Sequence, residues 1–251
     1  IIRKKGTNLG FNGSTGLNTG YGNYHKFSPW IYGNYRAEKV NIYGSTWYYN
    51  SKTANDQTSD MILNINGEES SFFNKSKSIF TYEGFGARLG ADYALGKKNT
   101  IGYLGVFYSG GSRVKVPSNI TVNGPAEINY DYINATNNSR LAWFGQTHNL
   151  NFRRDIGKGE TLNIDVDYVR RGAIDSNNVV NQYLLNNTGL TPAYTEQEGD
   201  IKTKMVVTKL DYEKTIFKNW ALETGVKASW VSNKNEFISS NGTNKNDIIK
   251  N

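Results

Sequence analysis

Residues 161–172 read TLNIDVDYVRRG, and in that stretch Leu162, Ile164, Val166 and Tyr168 alternate with Asn163, Asp165 and Asp167. Successive side chains of a β-strand point to opposite faces, so one face of this strand is wholly apolar and the other carries two carboxylates and an amide. An ordinary antiparallel sheet would turn the apolar face to a core and the carboxylates to water. A membrane barrel reverses the arrangement, with the apolar face on lipid and the carboxylates in a wet lumen. The rest of the chain decides between them.

The chain has 251 residues, of which 37% are hydrophobic and 13% aromatic, with 17 Tyr, 11 Phe and 5 Trp. So many rings exclude a disordered chain. No apolar run approaches the roughly 20 residues that a membrane helix needs, so any crossing must be made by strands. The mean hydropathy of −0.61 is compatible with that, because a barrel strand shows lipid only every second residue. Cysteine is absent, which removes disulfides and thiolate chemistry, and His25 and His148 are the two imidazoles. The net charge of +7 comes from 29 Lys and Arg scattered along the chain, often beside acids. A nucleic-acid footprint needs clustering, so none is expected. The first residues, IIRKKG, are not a signal peptide.

Tight turns are expected at RAEK (36–39), GKKN (96–99), IGKGE (156–160) and IFKN (216–219), and Glu38, Lys98, Lys158 and Lys218 fall at even intervals of 60 residues. The predicted strands are 8–18, 27–36, 40–50, 80–95, 100–109, 143–155, 161–170, 201–214 and 220–231. Most exceed the 5 or 6 residues of a typical globular strand and suit the 9 to 11 tilted residues of a membrane strand. Between them, 51–79, 110–142 and 171–200 are rich in Asn, Ser, Thr and Gly and read as loops. Three such loops on one side and only tight turns on the other is the asymmetry of outer-membrane barrels. A β-sandwich has no reason for it, and a propeller would need four short strands per unit.

The faces agree. Phe85, Ala87, Leu89, Ala91 and Tyr93 alternate with Gly84, Gly86, Arg88, Gly90 and Asp92. Val206, Thr208, Leu210 and Tyr212 alternate with Lys209, Asp211 and Glu213, and Leu222, Thr224, Val226 and Ala228 with Glu223, Gly225 and Lys227. Strand 100–109 is ambiguous, with Leu104 and Val106 on one face and Ile101, Tyr103 and Phe107 on the other. Apolar-face aromatics gather at strand ends, Tyr93, Tyr212 and Trp220 by the tight turns and Phe144, Tyr168 and Trp230 by the long connections, which gives two girdles. The expected lumen-facing set is therefore Arg88, Asp92, Asn163, Asp165, Asp167, Lys209, Asp211, Glu213, Glu223 and Lys227. The expected lipid-facing set is Leu89, Tyr93, Leu162, Ile164, Val166, Tyr168, Leu210, Tyr212, Trp220, Leu222, Val226 and Trp230.

YRAEKVNIYGSTWYYN (35–50), FGARLGADYALGKKNTIGYLGVFY (85–108), HNLNFRRDIGKGETLNIDVDYVRR (148–171) and DYEKTIFKNWALETGVKASW (211–230) resemble the outer-membrane β-barrel family related to TonB-dependent receptors. The likeness lies in a Gly-rich strand ending in "DY", a "KKNT" turn and a later "DY...K...LETGVK" hairpin, and it spans about residues 8–238. It implies a barrel of about 22 strands closed by an N-terminal plug, importing ligands too big for porins with energy passed on by TonB. The whole sequence, 1–251, is then expected to be the middle of a single transmembrane barrel domain, with plug and final strands outside it.

Other chemistry is thin. Asp165 and Asp167 sit side by side on one face, but no histidine neighbours them and no nucleophile motif occurs, so they read as solvated and not catalytic. DSNN (175–178) offers oxygen donors for Ca²⁺ but lacks EF-hand spacing. GSTGLNTGYG (13–22) is no phosphate loop. No enzyme activity, cofactor or metal is expected. The reading that results is an all-β, antiparallel, up-and-down barrel in the bacterial outer membrane, with tight periplasmic turns and long extracellular loops. Its expected role is import of a bulky nutrient captured by those loops, with the lipid bilayer and TonB as partners. The alternative is a non-transporting scaffold for surface lipoproteins or other envelope proteins. The ligand is not legible.

Overall fold

Each run of alternating sequence forms a strand, and the long strands pair in their order along the chain. The computed structural model describes residues 9–65, 67–125, 128–157, 159–217 and 220–244. Its strands are β1 (Gly10–Tyr21), β2 (His25–Arg36), β3 (Val40–Ile65), β4 (Glu68–Leu95), β5 (Asn99–Asn123), β6 (Tyr132–Gly157), β7 (Glu160–Leu185), β8 (Thr188–Gly189), β9 (Ala193–Phe217) and β10 (Trp220–Gly242). They make one antiparallel sheet in the order β1-β2-β3-β4-β5-β6-β7-β9-β10, with the two-residue β8 set against β7. This is an up-and-down, all-β architecture. β1 and β10 are its two edges and are not paired with each other.

The turns at 36–39 and 96–99 fall where the sequence places them, and β6 and β7, and β9 and β10, reverse direction at the expected positions at the same end of the sheet. Gly96 at φ +73° and Gly159 at φ +74° supply the left-handed backbone that such turns require. Lys158, Lys218 and Asn219 lie outside the described residues.

The other end corrects the sequence reading. The stretches 51–79, 110–142 and 171–200, expected as loops, are continuations of the strands. The β3–β4 ladder runs unbroken from Val40↔Tyr93 to Ile65↔Glu68, and β5–β6 and β6–β7 extend similarly, to Thr121↔Tyr132 and Tyr132↔Leu184. The gaps between paired strands shrink accordingly: β4 begins at Glu68 after β3 ends at Ile65, β6 begins at Tyr132 after β5 ends at Asn123, and β7 turns into β8 at Asn186 and Asn187. Those two asparagines, at φ 48° and 61°, form the two-residue turn between β7 and β8. The reason is physical. A ladder wet on both faces needs no apolar alternation, so the period-2 signal disappears while backbone pairing continues. The ladders lapse around Pro29 and Pro117, which have no N–H to give, yet register is kept across both gaps.

The sheet is a single layer. Val122, Val169 and Val207 are the buried apolar side chains among the described residues, while Phe85, Leu89 and Val226 are 56%, 60% and 72% exposed. No helix is long and apolar enough to cross a membrane, which says nothing about strands. An apolar face this wide, with no second layer on it, is the face of a sheet that meets something other than water.

Candidate functional site

Cross-strand partners share a face, so the register sorts every side chain. Asp92 pairs with Asn41 and Gly102, Asp165 with Asn151 and Lys209, and Lys209 with Lys227. Arg88, Asn163, Asp167, Asp211, Glu213 and Glu223 fall on this same polar face. All ten residues named as lumen-facing from sequence are thus brought to one side.

Some of them are bonded to neighbours on the same face. Asn41 Nδ2 donates to Asp92 Oδ2 at 3.3 Å, Asn151 Nδ2 to Asn149 Oδ1 at 2.9 Å, and Asn149 Nδ2 to Asp167 Oδ1 at 2.8 Å. Gly102 makes room between the two halves. A Cβ there would lie 2.6 Å from Asn151 Oδ1 and 2.7 Å from Asp92 Oδ1. Lys209 Nζ contacts Asp211 Oδ2 at 2.6 Å beside Asp165. Asp165 and Asp167, adjacent on the face, therefore work with amides and a lysine.

Outward along the strands, the polar face changes to rings laid on glycine. Trp30 lies over Gly16, Trp47 over Gly86, Tyr43 over Gly90, Tyr49 over Gly84 and Tyr108 over Gly145, with a Cβ at each glycine meeting the ring at 2.1–2.7 Å. Trp30 and Trp47 are direct cross-strand partners. This aromatic tract was not assigned from sequence. Its signal is present in the Gly-rich FGARLG facing YGSTWYY across the β3–β4 ladder, but only the register matches each ring to its glycine.

The apolar face carries eleven of the twelve residues named as lipid-facing: Leu89, Tyr93, Leu162, Ile164, Val166, Tyr168, Leu210, Tyr212, Leu222, Val226 and Trp230. The twelfth, Trp220, lies at a register shift beside Ala221, where alternation does not assign a face. Register also resolves strand 100–109: Ile101, Tyr103 and Phe107 pair with Phe152, Leu150 and Gln146 on the apolar side, and Leu104 and Val106 join the polar side. His148 falls within the apolar face. Its Nδ1 is 2.7 Å from the Tyr103 hydroxyl, and Phe107 and Tyr168 flank the ring, with Gly105 leaving space opposite.

The uncharged band is bounded at both ends. Toward the tight turns stand Arg154, Glu160 and Lys214; toward the hairpin tips stand Glu83, Arg113, Arg170 and Lys204. Between those limits β7 keeps residues 161–169 and β4 keeps Phe85–Leu95, lengths that suit a membrane crossing. Tyr212 shows how the edge is made. Its ring stays in the band while its hydroxyl donates to Glu160 Oε1 at 2.6 Å, and that bond, with Lys214 nearby, holds the Glu160 carboxyl below its ordinary range.

The hairpin tips are tied together by Asp131. Val122 N–H donates to the Asp131 carbonyl, Asp131 N–H to the Leu184 carbonyl, and Asn186 N–H to Asp131 Oδ2, while Tyr130 packs on Tyr183 with centroids 4.9 Å apart. DSNN lies inside β7, so Asp175 and Asn177 point to one face and Ser176 and Asn178 to the other, and their oxygens do not converge on an ion. No cluster of metal-ligating side chains occurs among the described residues.

No curated protein matches the chain. Residues 151–251, which carry the foot of β6 and all of β7 to β10, match the outer membrane protein beta-barrel family, and together with the single-layered up-and-down sheet this places the chain in the outer membrane of a bacterium.

Proposed function

We propose that the polar face lines the lumen of a large barrel, that the apolar band faces lipid, and that the barrel imports a bulky nutrient with energy passed on through TonB. One observation carries this reading. The polar wall extends over nine strands and still leaves two open edges, β1 and β10. Barrel diameter grows with strand number, so a wall that nine strands do not close belongs to a wide lumen. Side chains alone fill an eight-stranded barrel, whereas barrels of about 22 strands enclose a lumen large enough for a plug.

The ring-on-glycine tract and the tied hairpin tips supply a capture route. Flat rings with one face on the wall offer the other to apolar or sugar surfaces, while the Asn and Asp side chains farther in offer hydrogen bonds. With tight turns on the periplasmic side, the long hairpins stand outside the cell.

The test is uptake by cells that produce the full-length protein. Wild-type cells should deplete one class of nutrient above porin size from the medium, and cells lacking the gene, or lacking TonB, should leave it there. Full depletion by both mutant strains, with loss of a co-purifying lipoprotein from the gene-deleted strain, would overturn import in favour of a scaffold.

A further inference from the structure

On the apolar face, immediately beyond the uncharged band on the hairpin side, cations stand directly opposite cations. Arg113 pairs with Arg140 across β5–β6, Arg170 with Lys204 across β7–β9, and Lys202 with Lys234 across β9–β10. Directly opposed residues have Cβ atoms about 5 Å apart, and like charges there are destabilising. Three such pairs at one boundary would be selected against unless something anionic sat between them.

The protein supplies only part of that charge. Arg113 reaches Glu83 at 3.4 Å, and Lys202 and Lys234 each lean outward to Asp200 and Glu236, both at 2.5 Å. Arg170 and Lys204 have no carboxylate partner among the described residues. Arg170 instead rests on the Phe144 ring, 5.4 Å from its centroid, and Phe144 fills the notch over Gly172. The polar face offers a contrast. There Lys209 also opposes Lys227, but Asp211 and Asp165 lie alongside. The guanidinium of Arg170 is thus held at the end of the apolar band, on a ring that belongs to the band, with its remaining donors unclaimed among the described residues.

We infer that Arg170 and Lys204, flanked by Lys202 and Lys234, bind the phosphate of a phosphorylated glycolipid of the outer leaflet, whose acyl chains lie on the band below. The chemistry fits on both sides. Guanidinium and ammonium groups take phosphate oxygens by charge-assisted hydrogen bonds, and the apolar rows of Tyr168, Val206 and Trp230 continue beneath the cations for the chains. Membrane-surface cations attract anionic lipid with an energy that falls off within a Debye length, so their position at the band edge is what makes them effective. The inference rests on the reading that the apolar face meets lipid.

The test uses the full-length protein in detergent micelles, titrated with a bisphosphorylated acyl glucosamine disaccharide, its dephosphorylated form, or phosphatidylglycerol, with bound lipid counted by native mass spectrometry. The phosphorylated glycolipid should bind about tenfold or more tightly than its dephosphorylated form and more tightly than phosphatidylglycerol. Arg170→Gln with Lys204→Gln should remove that preference. Arg170→Lys with Lys204→Arg should keep it, as should Lys75→Gln with Lys77→Gln, which remove two cations from the same face nearer the tip. Equal binding of phosphorylated and dephosphorylated forms by the unaltered protein overturns the inference, as does equal binding of phosphatidylglycerol. Lipid-phase labelling of a cysteine at 166 separates the two levels: labelling without phosphate preference refutes the phosphate site alone, and no labelling refutes the membrane face beneath it.

Discussion

Val166→Arg is the perturbation that most directly tests which side of the sheet meets the bilayer. Val166 lies midway between Leu162 and Arg170 on β7, opposite Leu150 on β6 and Thr208 on β9, so its side chain has no charged partner within the band. An arginine on the lipid face near the bilayer midplane costs about 2 to 4 kcal/mol. At about 1.4 kcal/mol per factor of ten, that is a thirtyfold to several-hundredfold loss in the folding equilibrium. Asp165→Arg, one residue away, leaves its charge in water. In the full-length protein, unfolded by denaturant in lipid vesicles, Val166→Arg should therefore be the more destabilising of the two. A sheet packed on a protein core would also suffer from an arginine at 166, so the deciding assay is chemical. In outer-membrane vesicles, a cysteine at 165 should react with a membrane-impermeant maleimide once the lumen is accessible, and a cysteine at 166 should react with a lipid-partitioned carbene. Equal aqueous labelling at both positions would refute the face assignment.

Other consequences are as direct. Gly86→Val places carbon where Trp47 lies, 2.1 Å from its ring, and should cost about 1 to 3 kcal/mol while shifting tryptophan emission to the red; an unchanged spectrum would show that the ring does not rest there. A broad-specificity protease added to intact cells should nick 124–131 and the segment around Asn186 and Asn187, spare the paired arms between them and the band, and spare the periplasmic turn at Lys98; cutting at Lys98 with intact tips would invert the topology. Residues 1–251 in isolation should not refold in detergent as a heat-resistant monomeric barrel. β1 and β10 run in the same direction, so their direct pairing would break the antiparallel pattern, and unclosed edges leave backbone N–H and C=O groups in hydrocarbon. A closed monomer from these residues alone would refute the larger barrel.

The feet of the hairpins were legible in the sequence and the tips were not, for a reason visible in single strands. Between Leu162 and Tyr168 each side chain is constrained by one of two solvents, and alternation records the choice. From Arg170 to Leu185 both faces of β7 are wet, and GAIDSNNVVNQ reads as loop although every residue from Gly172 to Asn181 has a partner on β6 and on β9. Strand 100–109 was ambiguous because Leu104 and Val106 on the polar side are opposed by Asn149 and Thr147, a pairing that only the neighbouring strand reveals. His148 gave no sign of its face for the same reason: its setting is made by Tyr103, Phe107 and Tyr168, from strands on either side. The cation pairs at the band edge are likewise invisible along the chain, since Arg170 and Lys204 are far apart in sequence and meet only through register.

The unbroken ladders also govern how such a protein can change. Register shifts occur at Asp155/Gly157 and Trp220/Ala221, both at the feet by the tight turns. Within the band, a single inserted or deleted residue in one arm would exchange the two sides of that strand, setting acids where apolar side chains belong. Above the band both faces are wet and face exchange carries no such penalty, so length can drift there by residues matched on both arms of a hairpin, each step moving the tip by about 3.4 Å. Among natural variants of this chain the hairpins should differ in height, while the band beneath them stays the same length.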